Sequence, residues 1–278
     1  ETADTAATED TPVLVVGAGP VGMIGALSLD ARGVPVELLE ADPEDRERPG
    51  SRAIYLHEDT LRTMEAAHPG LGEAVADAGL VWSTRRTLFR GKEVFSRTYE
   101  NPGGDGQFPH FTSVPQVRTE ELLLEAIDDS DVEISWETEV ERVDSDDDGV
   151  RVETADGEVR EAPYVLGADG AGSTVRKEIG VEFEGDKSEN SFIIADVEEH
   201  PDDPRERERV FHYDHPEVGG RNILLVPFEG GWRIDVQCKD SDDPEELSSE
   251  EMIGEIVART LGERYRDRVY WISNYQFL

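Results

Sequence analysis

Near the start of the chain, a short apolar strand runs directly into a glycine-rich turn. Val13 to Val16 are four consecutive apolar residues, and Gly17-Ala-Gly-Pro-Val-Gly22 follows them at once. In this Gly-x-Gly-x-x-Gly pattern the first glycine permits the tight turn, the second lets a pyrophosphate approach the backbone, and the third lets the next helix pack closely. The pattern predicts a βαβ unit that binds a dinucleotide phosphate. The residues predicted to form this site are Gly17, Gly19, Pro20, Val21 and Gly22.

The next residues complete the unit. A helix is predicted from about Val21 to Ala31, with the positive end of its dipole directed at the anion. A second buried strand, Val36 to Glu40, ends in an acid about 20 residues past the glycines, where a ribose hydroxyl is bound in such folds. We therefore expect an ADP-containing dinucleotide. The motif alone suits both FAD and NAD(P), and a purely structural glycine turn is the alternative.

The chain of 278 residues is strongly acidic. Its 64 Asp and Glu residues outnumber 27 Lys and Arg, for a formal net charge of -37, and only four of the basic residues are lysines. Such a surface repels nucleic acid and anionic membranes, so neither is expected as a partner. Acids spread along the whole length, together with few lysines, are typical of proteins from salt-in halophilic archaea.

Cysteine usage and hydropathy favour a cytoplasmic protein. Cys238 is the only cysteine, which excludes an intrachain disulfide and a thiolate metal cluster. No apolar run approaches the roughly 18 residues of a membrane span. The acidic residues 1–11 do not resemble a signal peptide and are predicted to form a disordered leader.

Helices and strands alternate through the middle of the chain. Apolar spacing predicts helices at about 57–67 and 116–127, the second beginning at Gln116, and loose alternation predicts inserted strands at about 80–112. Alternating residues on both sides of Ala155-Asp-Gly157 predict a β-meander, which leads to a buried strand, Tyr164 to Leu166. That strand enters a second glycine-rich turn, Gly167 to Arg176. An ordinary loop with a helix cap at Ser173 is the alternative reading of this turn.

From residue 191 onward, four segments with strand patterns are separated by turns, and they predict a mostly antiparallel sheet. A helix at about 249–261 and a strand at about 269–271 follow. His212 and His215 could suggest a metal site, but two residues at a strand end without a further ligand do not make one, and no metal is predicted.

The order of these motifs resembles the FAD-dependent aromatic hydroxylases of the para-hydroxybenzoate hydroxylase type. The resemblance covers about residues 12–278, and its specific part is the pair of glycine-rich turns. It implies an α/β fold: a Rossmann-like FAD-binding βαβ domain with a β-meander, plus a substrate domain of mostly antiparallel sheet. The expected boundaries are 12–185 for the FAD-binding domain, which includes the inserted strands, and 186–278 for the substrate domain.

The resemblance also implies roles for individual residues. Gly17, Gly19 and Gly22 would hold the FAD pyrophosphate and Glu40 the adenosine ribose. Arg52 would contact the phosphates and ribityl region, and Gln116 the ribityl chain. Asp169 and Gly170 match the Asp-Gly pair that this family links to FAD and NAD(P)H, although Gly172 stands where many relatives carry arginine. Residues expected to line the substrate are Phe211, Tyr213, Leu225, Pro227 and Trp232.

The implied activity is hydroxylation of a phenolic or other aromatic substrate, with NAD(P)H and O₂, through a C4a-hydroperoxyflavin. No catalytic base is identified, and a homodimer is left open. The family's third motif, Gly-Asp-Ala-Ala-His, has no match in the chain, from which we expect a protein truncated at its C-terminus. The alternatives are a quinone-pathway or prenyl FAD oxidoreductase and a non-catalytic FAD- or nucleotide-binding module.

Overall fold

The computed structural model describes residues 11–46, 54–100, 107–184 and 191–276. The chain divides into two compact units. The first consists of Glu1–Pro49, Asp59–Val75 and Gln116–Glu184, and the second of Gly50–Glu58, Ala76–Pro115 and Gly185–Leu278.

The strands, in chain order, are β1 (Val13–Val16), β2 (Val36–Leu39), β3 (Tyr55–His57), β4 (Leu80–Val81), β5 (Thr84–Phe89), β6 (Lys92–Thr98), β7 (Phe111–Ser113), β8 (Glu133–Ser135), β9 (Val140–Ser145), β10 (Val150–Thr154), β11 (Val159–Ala162), β12 (Val165–Gly167), β13 (Ser191–Glu198), β14 (Glu208–His215), β15 (Arg221–Phe228), β16 (Gly231–Gln237) and β17 (Val269–Gln276). The α-helices are α1 (Pro20–Asp30), α2 (Glu58–Ala67), α3 (Leu71–Ala78), α4 (Gln116–Asp128), α5 (Thr174–Glu178), α6 (Pro244–Leu247) and α7 (Glu250–Thr260). Among the described helices, none has the length and apolar character needed to cross a membrane.

The first unit is built on a four-stranded parallel sheet in the order β12-β1-β2-β8. β1 is buried along its whole length, as its uninterrupted apolar sequence predicts for a strand of a parallel sheet. α1 connects β1 to β2, which pair in parallel from Val13 with Val36 to Val16 with Leu39. The predicted βαβ unit is therefore present.

The predicted β-meander is also present. β9, β10 and β11 form a three-stranded antiparallel sheet, and the valines of β9 and β10 share a core with β1 and β2. Val143 and Val152 of the meander pack in this core with Leu14 and Leu39.

The structure corrects the expectation that Tyr164 to Leu166 form a buried strand. Tyr164 is 71% exposed and Leu166 is 41% exposed. β12 lies at the edge of its sheet and pairs with β1 alone among the described strands, so only part of its apolar surface is covered. A short apolar run predicts a strand but does not reveal whether the strand lies at the centre or the edge of a sheet.

The second unit is built on a seven-stranded sheet in the order β17-β13-β16-β15-β14-β5-β6. Every pair is antiparallel except β14 with β5. One face, here called the α7 face, shares a core with helix α7, and the other is called the opposite face. Residues of the α7 face include Ile193, Val210, Ile223, Leu225, Trp232, Ile234 and Val236.

The strands predicted at about 80–112 fall into two sheets of the second unit. β5 and β6 extend the seven-stranded sheet, whereas β4 and β7 form a three-stranded sheet with β3. Residues 76–115 thus belong to the same compact unit as the antiparallel strands near the end of the chain, although the sequence interpretation includes them in the FAD-binding domain. Their partners lie more than a hundred residues away, as Thr84 paired with Glu208 illustrates, and alternation within a segment carries no information about such partners.

Candidate functional site

The first glycine-rich turn is shaped by two close backbone approaches. Gly17 has a φ of +102°, a conformation that side chains rarely adopt, and a Cβ there would lie 2.6 Å from the carbonyl oxygen of Ala168. A Cβ on Gly22 would lie 1.8 Å from the carbonyl oxygen of Gly17. Both positions therefore require glycine for the turn itself.

Gly19 differs from these two glycines. It is the N-cap of α1 with extended backbone angles, and a Cβ there would meet no described atom within 4 Å. Pro20 follows at the start of the helix, and no side chain caps this end among the described residues. Val21 is 72% exposed, and the N–H groups of the first turn have no partner within a helix. The helix thus presents open space and free donors, as anion binding requires.

The second glycine-rich turn lies directly against the first. The N–H of Ala168 donates to the carbonyl of Val16 over 2.8 Å, and Val16 pairs with Gly167 across the parallel strands. Residues about 150 positions apart in sequence are therefore adjacent, because the carboxyl ends of neighbouring parallel strands meet at one edge of the sheet.

The carboxylate of Asp169 is bound within its own turn. It accepts hydrogen bonds from the backbone N–H groups of Thr174 at 2.6 Å and Val175 at 3.1 Å, and from the hydroxyl of Ser173 at 2.5 Å. Ser173 in turn accepts from the N–H of Arg176 and caps α5, the role that the alternative reading gives it. These bonds make Asp169 a residue that shapes the turn.

Gly170 follows Asp169 in this turn. Its φ is +78°, and a Cβ there would meet no described atom within 4 Å. Glycine at this position is therefore explained by backbone conformation, since there is no close approach.

Glu40, at the end of β2, is 6% exposed and directed at the first turn. One carboxylate oxygen accepts from the N–H of Ala18 at 2.6 Å, and the other accepts from the N–H of Asp42 at 3.0 Å and from Arg46 at 3.1 Å. A carboxylate has about four acceptor positions. With three occupied, a position remains on the oxygen that faces Ala18, which suits a ribose hydroxyl.

Sequence analysis missed Arg46 and Glu120. Burial lowers the pKa of Arg46, but the hydrogen bond that Arg46 donates to Asp42 and the negative charges of Glu40, Asp42 and Glu120 outweigh that effect and raise the pKa. Arg46 therefore lies in a common electrostatic environment with Glu40 and with Glu120, a buried acid of α4. The sequence signal for Arg46 is its position, six residues after Glu40 at the end of β2.

Gln116 is the first residue of α4. Its amide nitrogen donates to the Glu120 carboxylate over 2.8 Å, one helical turn further on. The spacing of four residues that joins such pairs is visible in the sequence. The structure thus places Gln116 in the same unit as the two turns and Glu40. Arg52, the remaining predicted phosphate contact, lies outside the described residues.

The five residues expected to line the substrate lie on two faces of the seven-stranded sheet. Phe211 and Tyr213 lie on the opposite face, with ring centroids 4.3 Å apart. Leu225 and Trp232 belong to the core beneath α7, and Pro227 pairs with Trp232 on that face. The sheet has a side-chain period of two, so residues from one strand face two ways. The five residues therefore do not form one surface: Phe211 and Tyr213 lie on the opposite face, and the other three lie on the α7 face.

The opposite face also carries buried charges. Arg233 donates two 2.8 Å hydrogen bonds to the carboxylate of Asp196. Nearby, burial raises the pKa of Asp235 to about 6, although the positive charges of Arg233 and Arg209 oppose the shift. This face therefore combines ionisable and aromatic groups, whereas the α7 face is mainly a hydrophobic core.

The residues of the first unit fit FAD. The turn at Gly17 to Gly22 leaves room beside Gly19 for a pyrophosphate, and Glu40 retains an acceptor position for the ribose. The second turn packs against the first and brings a further loop to the same edge of the sheet.

Comparisons with known proteins agree with this geometry. A family model described as "FAD binding domain" matches residues 10–277. The chain is 33% identical over 227 residues to 6-methylpretetramide 4-monooxygenase from Streptomyces rimosus, which covers 80% of this chain and 39% of that protein. It is 30% identical over 199 residues to para-nitrophenol 4-monooxygenase from Pseudomonas sp. strain WBC-3, with 66% of this chain and 46% of that protein covered.

Solved structures share the fold of this chain. p-Nitrophenol 4-monooxygenase from Pseudomonas putida DLL-E4 superposes with a TM-score of 0.80 at 26% identity, covering 96% of this chain and 67% of that one. 2-Methyl-3-hydroxypyridine-5-carboxylic acid oxygenase shares the fold, with a TM-score of 0.77 at 22% identity. The chain spans less than half the length of the two sequence relatives described above. The match to almost all of its residues shows that the chain belongs to the FAD-binding-domain family of flavin-dependent aromatic monooxygenases.

Proposed function

We propose that the protein is an FAD-dependent monooxygenase that hydroxylates a phenolic or other aromatic substrate with NAD(P)H and O₂. The observation that carries this proposal is the meeting of the two glycine-rich turns at one sheet edge, with the Glu40 carboxylate bonded to Ala18 beside them. Two relatives, named 6-methylpretetramide 4-monooxygenase and para-nitrophenol 4-monooxygenase, support the reaction class.

In this proposal each residue of the first unit binds a part of the cofactor. The N–H groups at the start of α1 receive the pyrophosphate, and the space beside Gly19 allows it to approach. Glu40 accepts a hydrogen bond from the adenosine ribose, while Arg52 and Gln116 contact the phosphate and ribityl regions. Asp169 contributes through the turn that it shapes, and Gly170 lies beside it. FAD held by these residues would supply the redox chemistry for reduction by NAD(P)H and for activation of O₂.

The protein's own contribution is then orientation and exclusion of water. The opposite face of the second unit's sheet offers Phe211 and Tyr213 as aromatic surface for the substrate ring. A cytoplasmic location is part of the proposal. The single cysteine suits a reducing compartment.

The test uses the full-length protein in concentrated salt. A yellow preparation with flavin absorption bands, in which an aromatic compound accelerates flavin reduction by NADH or NADPH, is expected. Incorporation of one ¹⁸O atom from ¹⁸O₂ into the product, measured by mass spectrometry, establishes hydroxylation. Flavin reduction without oxygen incorporation would instead assign a related FAD oxidoreductase. Flavin that is bound but never reduced would assign a non-catalytic binding module.

A further inference from the structure

A cavity of about 260 Å³ lies on the α7 face of the seven-stranded sheet. Strands β5, β14 and β15 provide most of its lining, which is completed by Thr260 at the end of α7 and by Arg205 in the segment before β14. All of these residues belong to the second unit, and none is part of the proposed FAD site. Four aliphatic side chains line the cavity beside its polar residues, which are Arg86, Arg205, Glu208, His212, His215 and Thr260.

One arginine of the cavity is neutralised by acids of the chain, and the other is not. Arg86 forms salt bridges with Glu208 at 2.7 Å and with Glu93 at 3.4 Å. Arg205 forms no salt bridge with a carboxylate in the described parts of the chain. Burial lowers the pKa of Arg205, since it penalises the charged form. In a chain with 64 acidic residues, a half-buried arginine without an acid partner is an arrangement that a bound anion would complete.

Two contacts orient the Arg205 side chain. Its Nη1 donates a 2.8 Å hydrogen bond to the carbonyl oxygen of Leu261, the residue after α7. Its guanidinium lies 5.7 Å from the ring centroid of Trp232. A ring beside a guanidinium plane stabilises the cation but uses none of its five N–H donors. The guanidinium is therefore held in place and keeps donors for a ligand.

The two histidines supply further donors to the same cavity. His212 Nε2 accepts from the N–H of Gly91 at 2.9 Å, and His215 Nδ1 accepts from the N–H of Glu217 at 3.3 Å. In a neutral imidazole one nitrogen accepts and the other carries the proton, so the N–H groups are Nδ1 of His212 and Nε2 of His215. Among the described residues, no hydrogen bond uses either N–H group. The ring centroids are 4.0 Å apart, so both rings serve one small volume.

The size of the cavity and the type of its donors indicate the ligand. A volume of about 260 Å³ is below the roughly 300–1,000 Å³ of ordinary small-molecule sites, so the ligand is small. Guanidinium and imidazole N–H groups bind anions, and they reach this cavity both from β14 and from the segment before it. A phosphate group carries several strong acceptor oxygens and can accept from donors that approach along different directions.

We propose that this cavity binds a phosphate group, held by the guanidinium of Arg205 and by the imidazole N–H groups of His212 and His215. The source of the group is free inorganic phosphate or a small phosphate monoester, whose organic part would contact the aliphatic lining. The inference goes beyond the proposed function and does not depend on it, because the cavity and the surface of Phe211 and Tyr213 lie on different faces of the sheet. A ligand that binds only the folded chain stabilises it, so occupation of the cavity should stabilise the second unit.

The first test is isothermal titration calorimetry of the full-length protein with inorganic phosphate. Ionic strength is held constant with sodium chloride, and saturating FAD is present so that the proposed pyrophosphate site is occupied. Arg205→Met keeps the apolar stem beside Trp232 and removes the charge, and we expect it to weaken phosphate binding about tenfold. Arg205→Lys keeps a charge and should lose less. The matched control is Arg207→Met, which removes an arginine of the same segment that lies outside the cavity, 3.6 Å from Glu229.

The second test needs no variant. In NMR titrations of the unmodified protein, phosphate should raise the pKa of His215 above its value of about 4, because a negative ligand favours the charged imidazole. The pKa of His212, which burial lowers, should rise with it, and that of the exposed His57 should not change. The charged groups around the two rings, whose effects are the same with and without phosphate, are Arg86, Glu93, Arg205, Glu208, Glu217 and Arg259.

Phenyl phosphate, titrated in the same way, distinguishes the two sources of the phosphate group. Tighter binding than inorganic phosphate, lost in Arg205→Met, identifies a monoester as the ligand, and weaker binding identifies the free anion. The inference is overturned if neither probe binds, if a folded Arg205→Met variant binds as tightly as the unmodified protein, or if Arg207→Met weakens binding equally. A pKa of His215 that phosphate leaves unchanged also overturns it, and this result is obtained even if Arg205→Met does not fold. Melting temperatures verify the folding of each variant.

Discussion

The backbone N–H of Ala18 donates a 2.6 Å hydrogen bond to the carboxylate of Glu40, 22 residues further along the chain. This bond joins the turn after β1 to the end of β2, so the acid proposed to bind the ribose also holds the turn proposed to bind the pyrophosphate. The two parts of the proposed FAD site are therefore mechanically linked.

Glu40→Gln tests this link. We expect the dissociation constant for FAD to rise about tenfold, because the charged acceptor is lost and an amide NH₂ must face the N–H donors of Ala18 or Asp42. The measurement is fluorescence titration of the apoprotein with FAD. Glu44→Gln, an exposed residue of the same loop, serves as the control. Unchanged FAD affinity in Glu40→Gln would refute the ribose assignment.

Two glycine substitutions separate folding from binding in the first turn. Gly22→Ala places a methyl group 1.8 Å from the Gly17 oxygen, so we expect a loss of several kcal/mol in unfolding free energy. Gly19→Ala meets no described atom within 4 Å and should fold normally, yet its methyl group occupies the space proposed for the pyrophosphate. Thermal unfolding and FAD titration give the two readouts. A Gly19→Ala variant that binds FAD as tightly as the unmodified protein would contradict that placement.

Asp169→Ala should destabilise the second turn. It removes the acceptor for two backbone N–H groups and for the hydroxyl of Ser173, and we expect a loss of about 1–3 kcal/mol. Asp169→Asn retains an acceptor oxygen and should lose less. Denaturant unfolding measures both variants against Asp147→Ala, an exposed acid of the same unit. Equal stability of Asp169→Ala and Asp147→Ala would show that the carboxylate does not shape the turn.

His215 should make the protein sensitive to acid. Burial, followed by the proximity of His212, lowers the pKa of His215 from 6.5 to about 4, although Glu217 opposes the shift. The folded protein then binds fewer protons than the unfolded chain, so the stability contributed above pH 6.5 is lost as the pH falls towards 4. The loss is on the order of 2 kcal/mol.

His215→Asn provides the measurement. Asn cannot be protonated, and its oxygen can replace the imidazole nitrogen that accepts from the N–H of Glu217. The difference in unfolding free energy between pH 7 and pH 4.5 should be smaller in the variant than in the unmodified protein. His57→Asn, an exposed histidine, should leave that difference unchanged, and the idea fails if both variants behave alike.

Asp235 should have the reverse dependence on pH. Burial raises its pKa from 3.8 to about 6 despite the nearby charges of Arg233 and Arg209, and Asp196 adds to the shift. The folded protein therefore binds an additional proton, and stability is lost as the pH rises through about 6. Asp235→Asn should be more stable than the unmodified protein at pH 8, on the order of 2 kcal/mol, and the gain should vanish near pH 4. Urea unfolding at both pH values decides, and a gain that is the same at both would rule out titration of Asp235.

Local pattern predicted the parts of the fold that local interactions determine. β1, α1 and β2 followed from an apolar run, three glycines and a second apolar run, and α4 and α7 followed from helical spacing. The antiparallel strands β13 to β16 followed from runs of apolar residues bounded by turns. Glycine at 17 and 22 is needed for local reasons, because Gly17 has a φ of +102° and a Cβ on Gly22 would meet the carbonyl oxygen of Gly17.

Pairing between distant strands was not predictable in this way. β5 and β6 joined the seven-stranded sheet through β14, and β12 became an exposed edge. Alternation of apolar and polar residues indicates that a strand has two faces, but it does not indicate which face packs against a helix. Trp232 therefore fell in the core beneath α7, whereas Phe211 fell on the opposite face.

The sequence by itself determined the FAD-binding βαβ unit, the family and the residue types at the turns, since steric limits on glycine and apolar patterning act over a few residues. Only the tertiary structure decided that Ala168 lies against Gly17, that Arg46 joins Glu40, and that Arg85, Arg97 and Arg209 stand side by side. These neighbours come from strands and loops far apart in the chain. Their proximity depends on which strands pair and in which register. The pairing and the register are determined by burial of the hydrophobic core that each sheet covers.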